Sequence, residues 1–323
     1  MFPNFNHLKV LIIGDVMLDS YVWGKVERIS PEAPVPVVNV LRKEQRLGGA
    51  ANVALNVKAL GAKAILCSVV GQDTEGETLC NLLTDSELAI DGIVKSKTRI
   101  TTNKERIIAG TQQIVRIDTE TDQLITQEEQ DLLLAKIKLL ISDCQVVIFQ
   151  DYDKGVLSKT LISEIVTLAK AHNIPTVVDP KKRNFWHYEG TTLFKPNLKE
   201  LKEGLKIDFD TYSPEALEKV VTQFKTQLSL QGVFVTLSSQ GVYIDFQDKK
   251  SHQPAHIRQI ADVSGAGDTV ISVAACCVAL GLSPELIAGL ANLAGGLVCE
   301  HAGVVPIDKN RLEEEAKKYF LGF

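Results

Sequence analysis

Short apolar runs alternate with longer helix-forming stretches through most of this chain, and that order restricts the fold more than any other feature. Leu8–Gly14, Ala64–Val70, Val146–Phe149, Ile174–Val178, Thr191–Phe194 and Val233–Leu237 read as strands. Thr74–Leu83, Gln127–Ile141, Ser158–His172, Ser213–Leu228 and Pro284–Glu300 read as helices, with Lys309–Tyr319 as a closing one. Parallel strands need crossovers long enough to hold a helix. The order therefore predicts an α/β fold with a mainly parallel central sheet covered by helices on both faces. The chain has 323 residues, 45% of them hydrophobic, which is ample for one large domain spanning 1–323.

Two regions break the alternation. In residues 24–42, Pro31, Pro34 and Pro36 are interleaved with Val35, Val37, Val38 and Val40, which excludes a helix and suits an edge strand. In residues 97–118, Thr101, Thr102, Ile107, Ile108, Thr111, Ile114, Val115 and Ile117 favour strands, and Ala109-Gly110 marks a turn. Together they predict a small β-lid bearing Lys97, Arg99, Lys104, Arg106 and Arg116. Such charges either guard an exposed sheet edge or form a basic rim for a phosphorylated substrate.

Polar groups recur where strands end, the edge at which open α/β sheets bind ligands. Asp15 and Asp19 follow the first strand, and Asp179-Pro180-Lys181-Lys182 follows a later one. Next come Lys195-Pro196-Asn197-Leu198-Lys199-Glu200 and Thr236-Leu237-Ser238-Ser239-Gln240-Gly241. Asn197 and Glu200 fall on one helix face, where they either hold water around Mg²⁺ or form a capping pair. Gly48-Gly49 opens a helix of small residues in which Asn52 offers both a donor and an acceptor to sugar hydroxyls.

The sharpest signal is Asp262-Val263-Ser264-Gly265-Ala266-Gly267-Asp268-Thr269, ahead of the apolar run Val270–Leu282. Its glycines let backbone come close to a ligand, and a helix N-terminus attracts anions. Asp268 in the first turn suits a general base beside a transferring phosphoryl group. Locally, Asp262 or Ser264 as a plain helix cap explains part of the pattern equally well.

Other chemistries lack their motifs. There is no G-x-x-x-x-G-K-[ST] loop, no G-x-G-x-x-G after the first strand, no H-E-x-x-H and no Cys/His zinc cluster. With 35 basic and 40 acidic residues, the formal charge of −5 argues against nucleic acid or a membrane surface as partner. Six cysteines without a C-x-x-C pair read as buried thiols in a reducing compartment. The N-terminus has no signal-like stretch, and Val270–Leu282 falls short of the about 20 residues that span a bilayer. These features predict a cytoplasmic location.

With these residues assembled, the chain resembles the ribokinase (PfkB) family of carbohydrate kinases along nearly its whole length. Asp262–Asp268 resembles the family's C-terminal D-T-x-G-A-G-D signature, with Val263 in place of threonine. Gly48-Gly49-Ala50-Ala51-Asn52 resembles its N-terminal signature, and Asn197 and Glu200 match its N-x-x-E motif. Gly14–Asp19 and Arg28–Val37 are similar to the stand-alone kinases of bacterial ADP-heptose synthesis, which phosphorylate the anomeric hydroxyl of D-glycero-β-D-manno-heptose 7-phosphate. A kinase of another sugar, or a catalytically silent sugar binder, are the alternatives, and the complete Gly-Ala-Gly turn with Asp268 speaks against the silent one.

The resemblance implies a role for each matched residue. Asp268 is the base, and the amides of Gly265, Ala266 and Gly267 form the anion hole. Asp19, Gly48, Gly49 and Asn52 hold the sugar. Lys195, Asn197, Thr236, Ser238, Gly241 and Asn292 face ATP, Asn197 and Glu200 organise Mg²⁺ through water, and Asp262 sits by a monovalent cation such as K⁺. Arg106, Arg116 and Lys181 are expected at the 7-phosphate from charge and location. The open strand edges of the lid predict a homodimer joined through paired lids.

Overall fold

The computed structural model describes residues 2–110, 112–209, 213–256 and 258–319; Thr111, expected in the lid, lies outside them. The chain begins with β1 (Lys9–Gly14), then a hairpin of β2 (Val16–Ile29) and β3 (Pro36–Gly49). After α1 (Ala50–Ala59), β4 (Lys63–Gly71), α2 (Thr74–Asp85) and β5 (Ile93–Ser96) comes a second hairpin, β6 (Thr102–Ala109) with β7 (Gln112–Thr119). Alternation resumes with α3 (Gln127–Leu140), β8 (Val146–Gln150), α4 (Lys159–Ala171), β9 (Thr176–Asp179) and β10 (Leu193–Phe194). Then follow α5 (Leu198–Leu205), α6 (Pro214–Gln227), β11 (Gly232–Thr236), β12 (Val242–Phe246) and β13 (Lys249–Gln253). The chain closes with α7 (Ala266–Ala279), α8 (Pro284–Val298) and α9 (Lys309–Tyr319).

The main sheet has the order β13-β12-β11-β10-β9-β8-β1-β4-β5. Every pairing from β5 to β11 is parallel, and β12 and β13 add an antiparallel edge. Alternate residues of the central strands go to opposite faces. Val10 and Ile12 join a core with α1, α7 and α8, whereas Leu11 and Ile13 join one with α3, α4 and α6. This is the expected two-sided α/β architecture. The antiparallel edge was not expected: Lys249-Lys250-Ser251-His252-Gln253 has no apolar alternation, being an exposed or half-exposed edge strand.

The second sheet has the order β3-β2-β6-β7. It is larger than the expected 24–42 and 97–118. β2 starts at Val16 and β3 runs to Gly49, so Asp19, Gly48 and Gly49 lie within paired strands rather than in loops. Pro31 and Pro34 fall in the connection between them, and Pro36 takes the first position of β3. This leaves the interior ladder free of prolines, which cannot donate to it. No helix among the described residues is long and apolar enough to cross a membrane. All six cysteines are free and five are buried, as expected for structural thiols.

Candidate active site

Two helix N-termini converge at one end of the main sheet. α7 begins behind Gly265, which adopts φ 79°, a conformation that favours glycine. α1 begins behind Gly49 at φ 59°. Neither start has a side-chain cap. By contrast Asp73, Thr126, Ser158, Asn197, Ser213 and Ser283 cap α2, α3, α4, α5, α6 and α8. The orphan N–H groups at such a start remain available to an anion. Asp262 does not cap α7. It accepts from the Ser264 amide at 2.9 Å and the Gly303 amide at 2.9 Å, so it shapes the turn and ties down the 303 loop. Those N–H donors outweigh burial and hold its carboxyl below the usual range.

Asp268, in the first turn of α7, is buried. Its Oδ2 accepts from Asn52 Nδ2 at 2.8 Å; its Oδ1 accepts from Gln150 Nε2 at 3.0 Å and from the Tyr152 hydroxyl at 2.7 Å. Burial lifts its carboxyl to about 7 against the pull of Asn52 and Tyr152, while Asp179 nearby raises it further and Lys195 lowers it. Asn52, expected on sugar hydroxyls, thus points its donor at the base. Lys195 is itself buried and pairs with Asp179 at 3.0 Å. A carboxylate poised near neutrality can take and return a proton at the pH of a cell.

Next to Asp268, past Tyr152, Gly267 and Asp179, a cavity of about 1210 Å³ opens along the sheet edge. Its lining brings together Lys195, Asn197, Thr236, Ser238, Gly241 and Asn292, from three separate stretches of the chain, with Ala266 and Gly267. Gly241 has φ 88°, and a Cβ there would lie 2.0 Å from the Gln253 carbonyl oxygen, so only glycine fits. Asn292 Nδ2 donates to the Pro254 carbonyl at 2.8 Å. Asn197 and Glu200 do form the reciprocal cap of α5, both bonds at 2.8 Å. They also line the cavity, and Glu200 Oε1 binds Lys181 Nζ. Lys181 therefore stands on the Glu200 side of the site, away from the lid cations.

On the other side, β2 supplies Asp19, whose Oδ1 meets Arg106 Nη1 at 2.6 Å. Gly48 makes room for it: a Cβ there would sit 2.2 Å from Asp19 Oδ2. The expected basic rim is mostly neutralised. Arg116 binds Asp118 at 2.8 Å, and Lys104 binds Asp118 and Glu120 at 3.3 and 2.8 Å. Arg99 is spent on the carbonyls of Gln123 and Lys154. Asp15, read beside Asp19 as a ligand candidate, instead accepts the amides of Tyr152, Lys154 and Val156, so it fixes the loop after β8.

Several residues of the site carried no motif. Gln150 is the last residue of β8 and Tyr152 lies two residues on, and their position at a strand end was the available signal. Arg46 and Tyr21 are further examples. Arg46 Nη1 donates to the Val304 carbonyl at 3.1 Å, and its guanidinium lies 5.1 Å from the Tyr21 ring, which Arg106 faces at 5.4 Å. Among the described residues no three His, Cys, Asp or Glu side chains converge on a metal position.

Comparison with known proteins fits this geometry. The chain is 41% identical over 307 residues to the bifunctional protein HldE of Methylobacillus flagellatus, covering 95% of this chain and 62% of that protein. It is 40% identical over 294 residues to HldE of Wolinella succinogenes, covering 91% and 61%. The chain thus spans about three fifths of the length of these relatives. Among solved structures, phosphofructokinase-2 from Escherichia coli in complex with potassium superposes with a TM-score of 0.78 at 19% identity, covering 95% of this chain and 97% of that one. Arabidopsis thaliana ribokinase complexed with ribose and ATP gives 0.73 at 17%, covering 96% and 99%. These two speak for a ribokinase-like fold. The model of the pfkB family carbohydrate kinases matches residues 7–310, and the chain belongs to that family.

Proposed function

We propose that this chain transfers the γ-phosphoryl group of ATP to the anomeric hydroxyl of D-glycero-β-D-manno-heptose 7-phosphate, giving the 1,7-bisphosphate for ADP-heptose synthesis. The observation that carries the transfer chemistry is Asp268, a buried carboxylate held near neutrality at the uncapped start of α7, whose neighbours Gly267 and Tyr152 line a cavity large enough for a nucleotide. The choice of sugar rests on the HldE relatives and on Gly14–Asp19 with Arg28–Val37.

In this reading Asp268 removes the hydroxyl proton while the amides of Gly265, Ala266 and Gly267 receive the charge of the transferring group. Lys195, Asn197, Thr236, Ser238, Gly241 and Asn292 hold ATP. Asp19, Gly48 and Gly49 hold the sugar, with Asn52 steadying the base from the same side. Glu200 and Asn197 fit a hydrated Mg²⁺, since both oxygen-bearing side chains face the cavity and Mg²⁺ usually keeps several waters. When bound, that ion would neutralise charge on the phosphates. Asp262, an acceptor beside the anion-hole turn, suits a nearby K⁺. For the 7-phosphate, Arg106 and Arg116 remain candidates by their place on the second sheet. Arg46 joins them, and Lys181 is better suited to the phosphates of ATP. The second sheet acts as the lid of a single kinase domain, the protein works in the cytoplasm, and two copies pair through their lids.

The test is ADP release with ATP and Mg²⁺, comparing heptose 7-phosphate with unphosphorylated heptose, fructose 6-phosphate and ribose. Preference for heptose 7-phosphate is expected; faster turnover of another sugar overturns the substrate and keeps the family. Asp268→Ala is expected to abolish turnover and spare sugar binding, and turnover at the wild-type rate would remove Asp268 from the base role.

A further inference from the structure

The end of β8 and the loop after it carry two groups that no motif assigns and that both end on one oxygen of Asp268. Gln150 Nε2 and the Tyr152 hydroxyl donate to Oδ1 at 3.0 and 2.7 Å. A carboxylate oxygen offers two lone-pair sites, so Oδ1 is saturated. Oδ2 accepts Asn52 alone among the described residues, which leaves one lone pair open. We infer that Gln150 and Tyr152 are positioning residues that select Oδ2 of Asp268 as the atom that takes the proton of the acceptor hydroxyl. This rests on the reading of Asp268 as the base.

The amide orientation of Gln150 supports the assignment. Its Nε2 also reaches Asp179 Oδ2 at 3.4 Å, so a flipped amide would turn its oxygen toward two carboxylates. Its Oε1 has no hydrogen-bond partner among the described residues, and the side chain is buried. Tyr152 lines the cavity, and Lys181 Nζ sits 5.5 Å from its ring centroid. The loop itself is held by Asp15 through the amides of Tyr152, Lys154 and Val156. The step balances as follows. The acceptor O–H bond breaks, its proton goes to Oδ2, its oxygen forms the bond to the γ-phosphorus, and the bridging oxygen leaves with ADP. The proton on Asp268 is then released to solvent.

A donor to a carboxylate favours its charged form. Tyr152→Phe removes one, so the acid limb of kcat/KM should move to higher pH. The other charged groups around Asp268 stay as they are: Asp179 at the end of β9 raises its pKa and Lys195 just past β10 lowers it. The experiment is the pH profile of wild type, Tyr152→Phe, Gln150→Leu and Asp268→Ala, with KM and kcat separated. Expected for Tyr152→Phe is a limb displaced upward by about half a unit or more. The loss should fall in kcat at neutral pH and recover to within about threefold of wild type on the alkaline side. Gln150→Leu should displace the limb in the same direction, and it decides the matter if Tyr152→Phe does not fold. A uniform loss at every pH, or an unmoved limb, overturns the positioning role. Wild-type turnover in Asp268→Ala overturns the base itself; an inactive Asp268→Ala with an unmoved Tyr152→Phe limb overturns the positioning role alone.

Discussion

Asp151 lies one residue from Tyr152 and faces away from the cavity, into Asn184 and Tyr188, which donate to its Oδ2 at 2.9 and 2.7 Å. Burial lifts its carboxyl to about 7, and the neighbouring Asp15 raises it further. A carboxyl lifted in the folded state binds its proton more tightly there than in the unfolded chain. Its contribution to stability is complete below about pH 4 and is lost as pH rises to about 7 and beyond. Asp151→Asn should therefore flatten the fall in unfolding free energy between pH 5 and pH 8, measured by urea denaturation. A fall as steep as in wild type would show that Asp151 titrates normally. Residues of this kind were illegible in the sequence. Asp268 announced itself through the glycines around it, but Gln150, Asp151 and Tyr152 occupy a strand end without any pattern of their own. Asp15 looked like a ligand until its partners proved to be three backbone amides. A sequence shows that a carboxylate sits at a sheet edge, whereas its role depends on which groups the loop folds around it.

At the level of the element, α7 shows what patterning conveys well and poorly. Its apolar run was plain, and the helix begins at Ala266, so the Gly-Ala-Gly turn is the cap and first turn of the helix, with Asp268 in that turn as expected. Gly267 sits where an added Cβ meets nothing nearer than Asp179 Oδ2 at 3.8 Å. Alanine is about 1 kcal/mol better than glycine inside a helix. Gly267→Ala is therefore expected to leave the melting temperature unchanged or slightly raised while turnover falls at least about tenfold, because the methyl group projects into the space proposed for the phosphoryl group. A fall in melting temperature matching the loss of activity would refute that placement. The hairpin β2–β3 was legible only in part. Prolines marked its connection, but Asp19 was read as following the first strand and Gly48-Gly49 only as opening a helix, because the strand through Asp19 is buried and shows no alternation. β13 was missed since a charged edge strand lacks a hydrophobic face, whereas β12 is a buried Val-Tyr-Ile-Asp-Phe run too short to stand out beside β11.

For the molecule as a whole, the second sheet leaves apolar side chains in solvent. Register aligns half-buried Ile107 with Val115 across β6 and β7, and Val115 and Ile117 are 47% and 49% exposed. Its outer strands β3 and β7 have free edges, and such edges invite pairing. On the proposed dimer, Val115→Glu combined with Ile117→Lys should yield monomers by light scattering at a concentration where the wild type is dimeric. Persistence of the dimer would place the interface elsewhere.

The site is also divided in its ancestry within the chain. Asp19, Gly48 and Arg46 come from one uninterrupted hairpin, residues 16–49, whereas Asp268, Lys195 and the cavity wall come from the distal half. In the proposed reading, contacts to the acceptor and the transfer chemistry draw largely on separate stretches of sequence, which meet where Asn52 of α1 donates to Asp268. A graft of residues 16–49 between relatives should then carry acceptor preference across while the groups around Asp268 stay in place.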